Sequence, residues 1–129
     1  MARIAYVAQH RKGLPELLKQ VSETGYTVFR VDPNQMAYRS LRDDPPDLIL
    51  ADVTLRASHV REVLEALSVS TITRSIPMAV VGLEPEEQQK TRNKAPLARE
   101  LHVGPVTRKL LIDVVKRLQI GRASCRERV

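Results

Sequence analysis

Four consecutive apolar residues, Leu48-Ile49-Leu50-Ala51, stand between Asp47 and Asp52. A run that is apolar at every position, rather than at every second one, has no side to give to water. Its place is the centre of a parallel sheet covered by helices on both faces.

The rest of the chain is patterned to supply that setting. Ile4 to Ala8, Thr27 to Val31, Ile76 to Val81 and Leu101 to Val103 read as four more short strands, with Pro77 tolerable because it stands near a strand start. Between them, apolar residues recur at i, i+3, i+4 and i+7, the spacing of an amphipathic helix. Leu14, Leu17, Leu18 and Val21 form one such stripe, with Pro15 in its first turn and Gly25 just past its end. Val60, Val63, Leu64 and Leu67 form another, and Leu110, Leu111, Val114, Val115 and Leu118 a third, for which Thr107 is the expected cap. A short helix is expected from Asp32-Pro33 through Met36, Ala37 and Leu41, ended by Asp43-Asp44-Pro45-Pro46. The stretch from Pro85 to Lys94 is helical in composition but nearly without apolar residues, so its helix is expected to be exposed and weakly held. Strand and helix thus alternate five times, which implies parallel strands joined by right-handed crossovers, with sites at the carboxyl ends of the strands. Those ends fall at Ala8 to His10, Asp52, Gly82 and Gly104.

The last ten residues need separate treatment. Ile120 to Val129 back-translates as ATC GGA AGA GCG TCG TGT AGG GAA AGA GTG, which is similar to a common short-read sequencing adapter, and Gln119 fits the AG that would precede it. Residues 1–118 are therefore read as one domain and 119–129 as adapter read-through rather than native sequence. Without the last ten residues the formal charge falls from +6 to +4. A charge of that size does not specify nucleic acid, and aromatic residues at 3% supply few surfaces on which bases could stack. No apolar stretch approaches a membrane span and no secretory signal opens the chain, so a cytoplasmic protein is expected. One cysteine and three scattered histidines, His10, His59 and His102, suggest neither a disulfide nor a structural metal.

Over nearly all of residues 3 to 118 the sequence resembles the response-regulator receiver family of two-component signalling. Pro46-Asp47-Leu48-Ile49-Leu50-Ala51-Asp52-Val53 is similar to the family's third strand, which ends in the phosphate-accepting aspartate. Arg74-Ser75-Ile76-Pro77 and Gly104-Pro105 look like its landmarks before strand four and after strand five. Thirty residues separate Asp52 from Gly82 and twenty-two separate Gly82 from Gly104, about where the family places its hydroxyl residue and its lysine. The resemblance implies a flavodoxin-like fold, a three-layer α/β/α sandwich around a five-stranded parallel sheet of order 2-1-3-4-5.

It also implies a chemistry that these residues do not support. The family's acidic pair after strand one, which with the acceptor carboxylate holds magnesium, is matched here by Ala8 and Gln9. One carboxylate and one amide are poor ligands for a hard cation that dehydrates reluctantly. Gly82 stands for the hydroxyl residue, Gly104 for the lysine, and Leu101 for the family's aromatic switch. Only Asp52 remains, so the pattern is that of a degenerate pseudo-receiver, with no cofactor unless Asp52 is phosphorylatable, in which case magnesium. His10, Arg11 or Lys12 is a candidate to place a fixed positive charge over Asp52.

Acid turn Asp43, Asp44, Asp47 reads as solvated, and Lys90, Arg92, Lys94 and Arg99 give a basic edge beside Glu84, Glu86 and Glu87. No nucleophile-base set or phosphate loop is present, so an enzyme is not expected. The reading is a phosphorylation-independent protein-interaction module of a phosphorelay. It would bind a histidine kinase, another receiver or a fused output domain through its fourth helix, fifth strand and fifth helix, with a homodimer as a further case. Membrane and direct nucleic-acid binding are not expected. The alternatives are a receiver that accepts phosphate on Asp52, and the N-terminal part of a longer transcription factor or other output protein.

Overall fold

The structure, a computed structural model, describes residues 2–127, with side chains described through residue 119. Five strands alternate with five helices: β1 (Arg3–Val7), α1 (Leu14–Ser22), β2 (Thr27–Val31), α2 (Gln35–Asp43), β3 (Leu48–Asp52), α3 (Ala57–Val69), β4 (Met78–Leu83), α4 (Gln88–Lys94), β5 (Glu100–Val103) and α5 (Arg108–Glu127). A 3₁₀ turn, Pro85–Glu87, leads into α4. All strand pairs are parallel, as the alternation implied, and the order is β2-β1-β3-β4-β5, as the resemblance implied.

The continuous apolar run of β3 is explained by what covers it. Ile49 and Ala51 join Ala5, Val7, Met78 and Val80 in a core closed by α2, α3 and the α4 region through Leu41, Val60, Leu64, Leu67 and Ala95. Leu48 and Leu50 point the other way, with Ile4, Tyr6, Ala79 and Val81, into a core closed by α1 and α5 through Leu14, Leu18, Val21, Leu111, Val114 and Leu118. Each strand side chain alternates between two dry layers, so neither parity is polar.

Helix ends follow local capping. Asn34, not Asp32, caps α2: its side chain accepts from the Met36 N–H at 2.8 Å, and the helix starts at Gln35. Thr107 caps α5 by accepting from the Leu110 N–H at 3.2 Å. The expected helix over Pro85–Lys94 divides into the 3₁₀ turn and α4, and it is less loosely held than its composition suggested. Thr91 and Ala95 are fully buried beneath it. Two ion pairs reach it from α3: Arg61 Nη1 to Glu87 Oε2 at 3.0 Å and Glu65 Oε2 to Lys94 Nζ at 2.9 Å. Of the expected read-through segment, the backbone is helical to Glu127, and the side chains beyond residue 119 lie outside the described residues.

Candidate functional site

Asp52 ends β3 at the carboxyl edge of the sheet, and its side chain is fully buried. Each carboxylate oxygen is accounted for. Oδ1 accepts from the Thr54 N–H at 2.9 Å, an Asx turn that follows from an aspartate at the last strand position with the chain turning behind it. Oδ2 accepts from the Tyr6 hydroxyl at 2.5 Å and lies 2.8 Å from Nη2 of Arg11.

Tyr6 reaches Asp52 because strand parity puts it there. In the β1–β3 register Tyr6 pairs with Leu50, two residues before Asp52 and on the same face. Buried and beside a carboxylate, the phenol is pushed far above its ordinary value of 10.0, first by desolvation, then by the Asp52 charge and the hydrogen bond to it; Arg11 pulls the other way. It therefore stays a neutral donor. Arg11 arrives from the loop after β1. That loop turns back at Arg11, whose carbonyl accepts from the Leu14 N–H at 3.1 Å, and Gly13 takes the left-handed φ of +84° that starts α1. The guanidinium is left with its side chain 20% exposed over the Asp52 carboxylate. An ion pair so far out of water is strong only when further hydrogen bonds complete it; Tyr6 and Thr54 do so for the carboxylate, whereas Nη1 of Arg11 is buried without a hydrogen-bond partner among the described residues.

Gly82 follows from a different constraint. Val80 pairs with Leu101 and Leu83 with Val103, so β4 carries one more residue than β5 across this interval and bulges at Val81-Gly82. Gly82 sits at φ +78°, and a Cβ there would lie 2.5 Å from Thr54 Oγ1 and 3.0 Å from Asp52 Oδ1. No side chain fits, hydroxyl-bearing or otherwise, while Thr54 stays in place. Gly104 lies at the end of β5 at φ +108°, its N–H donating to the Leu83 carbonyl at 3.0 Å, with open space where a Cβ would project. A cavity of about 510 Å³ opens there, lined by Arg11, Thr54, Gly82, Glu84, Gly104 and neighbours from the β4 and β5 ends.

The structure thus gathers Asp52, Arg11 and Gly82, with Gly104 across the cavity. Ala8 is fully buried in the α1–α5 core, and its carbonyl accepts from Arg30 Nη1 at 3.1 Å. Gln9 is half-buried in the following loop, while His10 and Lys12 are exposed. Leu101 packs against the edge of the other core. Tyr6 and Thr54 are site residues that the sequence reading missed. For Tyr6 a signal existed: a hydroxyl in an otherwise aliphatic buried strand needs a partner, and parity points it toward Asp52.

No protein-family model matches the chain, and no curated protein does. Solved structures match over nearly its whole length. The receiver domain of a signal transduction histidine kinase from Syntrophus aciditrophicus superposes with a TM-score of 0.79 at 24% identity, covering 94% of this chain and 92% of that one. The fold is the receiver fold. The chemotaxis response regulator CheY4 of Vibrio cholerae matches with a TM-score of 0.75 at 19% identity, over 92% of this chain and 98% of its own. The receiver domain of a sensor histidine kinase from Pseudomonas aeruginosa, whose structure has magnesium coordinated in the active-site cleft, matches with a TM-score of 0.76 at 18% identity, over 91% and 96%.

The residues at the corresponding edge of this receiver fold do not suit such an ion. The chain after β1 carries Ala8 and Gln9, neither of them a carboxylate, and the Arg11 guanidinium is already 2.8 Å from Asp52. Among the described residues no three of His, Cys, Asp and Glu come together as a metal site. A cation entering here would have to displace Arg11 and would gain one charged oxygen ligand group. Among the described residues, too, no helix is long and apolar enough to cross a membrane.

Proposed function

We propose that the chain is a receiver-like signalling module whose output does not depend on phosphorylation of Asp52. The observation that carries this reading is the closure of the Asp52 carboxylate by Tyr6, Arg11 and the Thr54 N–H. An attacking carboxylate oxygen needs a free lone pair aimed at the phosphoryl donor, and phosphoryl transfer needs a positive charge to neutralise the oxygens of the transferring group. Here Oδ2 is shared by two donors and the nearest positive charge is spent on the nucleophile itself. At positions 82 and 104, glycine supplies neither a hydroxyl nor an amine.

In place of switching, the Arg11–Asp52 pair fixes the loop after β1 against the end of β3. The module then works as a constant docking platform for a protein partner: a histidine kinase, another receiver or an output domain. Its docking surface is the edge of the sheet built by α4, β5 and α5. The likeness to a receiver domain that is part of a histidine kinase supports a role inside such a system.

Incubation of the purified chain with acetyl phosphate and magnesium, followed by intact-mass measurement, tests the proposal. The expected result is no gain of a phosphoryl group beyond that of the Asp52→Asn variant. A stoichiometric gain that Asp52→Asn abolishes would instead make this a working phosphorelay receiver.

A further inference from the structure

A second cavity, of about 640 Å³, lies away from Asp52, between the start of α2 and the flank of α3. Its walls are largely apolar: Pro33, Met36 and Tyr38 on the α2 side, Val63 and Ala66 on α3. Pro33 and Val63 are buried, whereas Met36 is 58% exposed, an apolar side chain left in water at the rim of a groove. The α2 lip is fixed without a ligand. Pro33 has a locked φ, and Asn34 caps the helix twice, its Oδ1 accepting from the Met36 N–H at 2.8 Å and its carbonyl from the Ala37 N–H at 3.1 Å. No Lys or Arg lines the cavity, and its carboxylate is Glu62, exposed and in no ion pair among the described residues. The bases nearby in sequence do not neutralise it: Arg30 is paired with Asp32, Arg42 with Asp43, and Arg39 is exposed outside the lining.

We propose that this groove binds a small organic amine, its flat apolar body against Met36, Tyr38, Val63 and Ala66 and its ammonium at Glu62. The scale of the groove decides for a small molecule over a protein. Nine residues line it, against the roughly 20–30 that a protein partner covers, and its volume falls in the range of roughly 300–1,000 Å³ typical of small-molecule sites. The thioether and the phenol ring suit an aromatic body, since sulfur and ring edges both pack well on a π face. The charge decides the sign of the ligand. An unpaired carboxylate at an apolar wall attracts a cation and repels an anion, and the fixed lip lowers the ordering cost of filling the groove. The rival account is a gap left between two helices, with no affinity of its own.

The test uses the full chain, labelled with ¹⁵N and titrated with three indoles that differ in one group: tryptamine with an ammonium, tryptophol with a hydroxyl and indole-3-propionate with a carboxylate. Tryptamine should bind saturably with a dissociation constant of about 1 mM or tighter, with amide shifts confined to the start of α2 and to α3. Tryptophol should bind about two- to fivefold more weakly, the worth of one exposed ion pair, and indole-3-propionate more weakly still. Glu62→Gln should erase the difference between tryptamine and tryptophol. Ala66→Leu, which fills the groove from a half-buried position, should abolish binding of both while the melting temperature stays near that of wild type. Asp52→Asn should bind tryptamine as wild type does, because Asp52 does not line the groove. Equal affinity for the three probes, shifts centred elsewhere on the molecule, no saturation in the millimolar range, a tryptamine preference that survives Glu62→Gln, or full binding by Ala66→Leu would each overturn the proposal.

Discussion

Asp52 is a buried carboxylate with three donors, and each donor makes a separate statement that mutation can check. Replacing Arg11 with Met keeps most of the side-chain packing and removes the charge, leaving a buried carboxylate with two neutral donors. The expected loss is about 1–3 kcal/mol in urea denaturation, and a neutral substitution would mean the guanidinium is merely laid over the cleft. Tyr6 adds a pH dependence of known sign. Its folded value lies above the ordinary 10.0, so the folded state holds the proton more tightly, and that stability is complete below pH 10 and is lost as the pH rises beyond it. Wild type should therefore lose stability above about pH 10 more steeply than Tyr6→Phe; identical alkaline limbs would contradict the buried hydrogen bond. Gly82→Ser, the substitution that would put back a hydroxyl, is expected to cost about 1–3 kcal/mol, because the residue would take a left-handed φ with its Cβ against Thr54. A Thr54→Ala background should recover part of that loss, and a well-tolerated serine would mean the bulge can relax.

At the scale of elements, the sequence was most legible where a single pattern settles the outcome. Leu48 to Ala51, apolar at every position, could only be a doubly covered strand, and the α3 stripe Val60, Val63, Leu64, Leu67 is buried in full. Where the deciding interaction joins distant segments, it could not be read in advance. The polar composition of Pro85 to Lys94 hides the fact that Arg61, twenty-six residues before Glu87, pairs with it. The start of α2 shows the same limit on a smaller scale, since Asp32 and Asn34 both suit a cap and local backbone geometry favours Asn34. The Arg61–Glu87 pair carries its own prediction. Glu87 accepts from the Glu84 N–H with one oxygen and meets Arg61 with the other, so it pins the turn before α4 to α3. Glu87→Gln should speed amide hydrogen exchange through α4 while leaving β3 and β4 protected, and uniform exchange across the molecule would mean that α4 opens only with the whole domain.

For the whole molecule, a parallel sheet followed from five alternations of strand and helix and its order 2-1-3-4-5 from the receiver resemblance, and the site lies where parallel sheets place sites, at the carboxyl ends of the strands. The absence of acid at Ala8 and Gln9 and of side chains at Gly82 and Gly104 was legible residue by residue. What occupies the resulting space was not, because the Arg11–Asp52 contact depends on a loop turn and the Tyr6 contact on β1–β3 register. On the proposed reading, this edge of the sheet holds its own positive charge and has no place for a divalent cation. Calorimetric titration of the purified chain with magnesium chloride measures that most directly. Wild-type protein should give no saturable heat, and tight, stoichiometric magnesium uptake that Asp52→Asn abolishes would overturn the proposal.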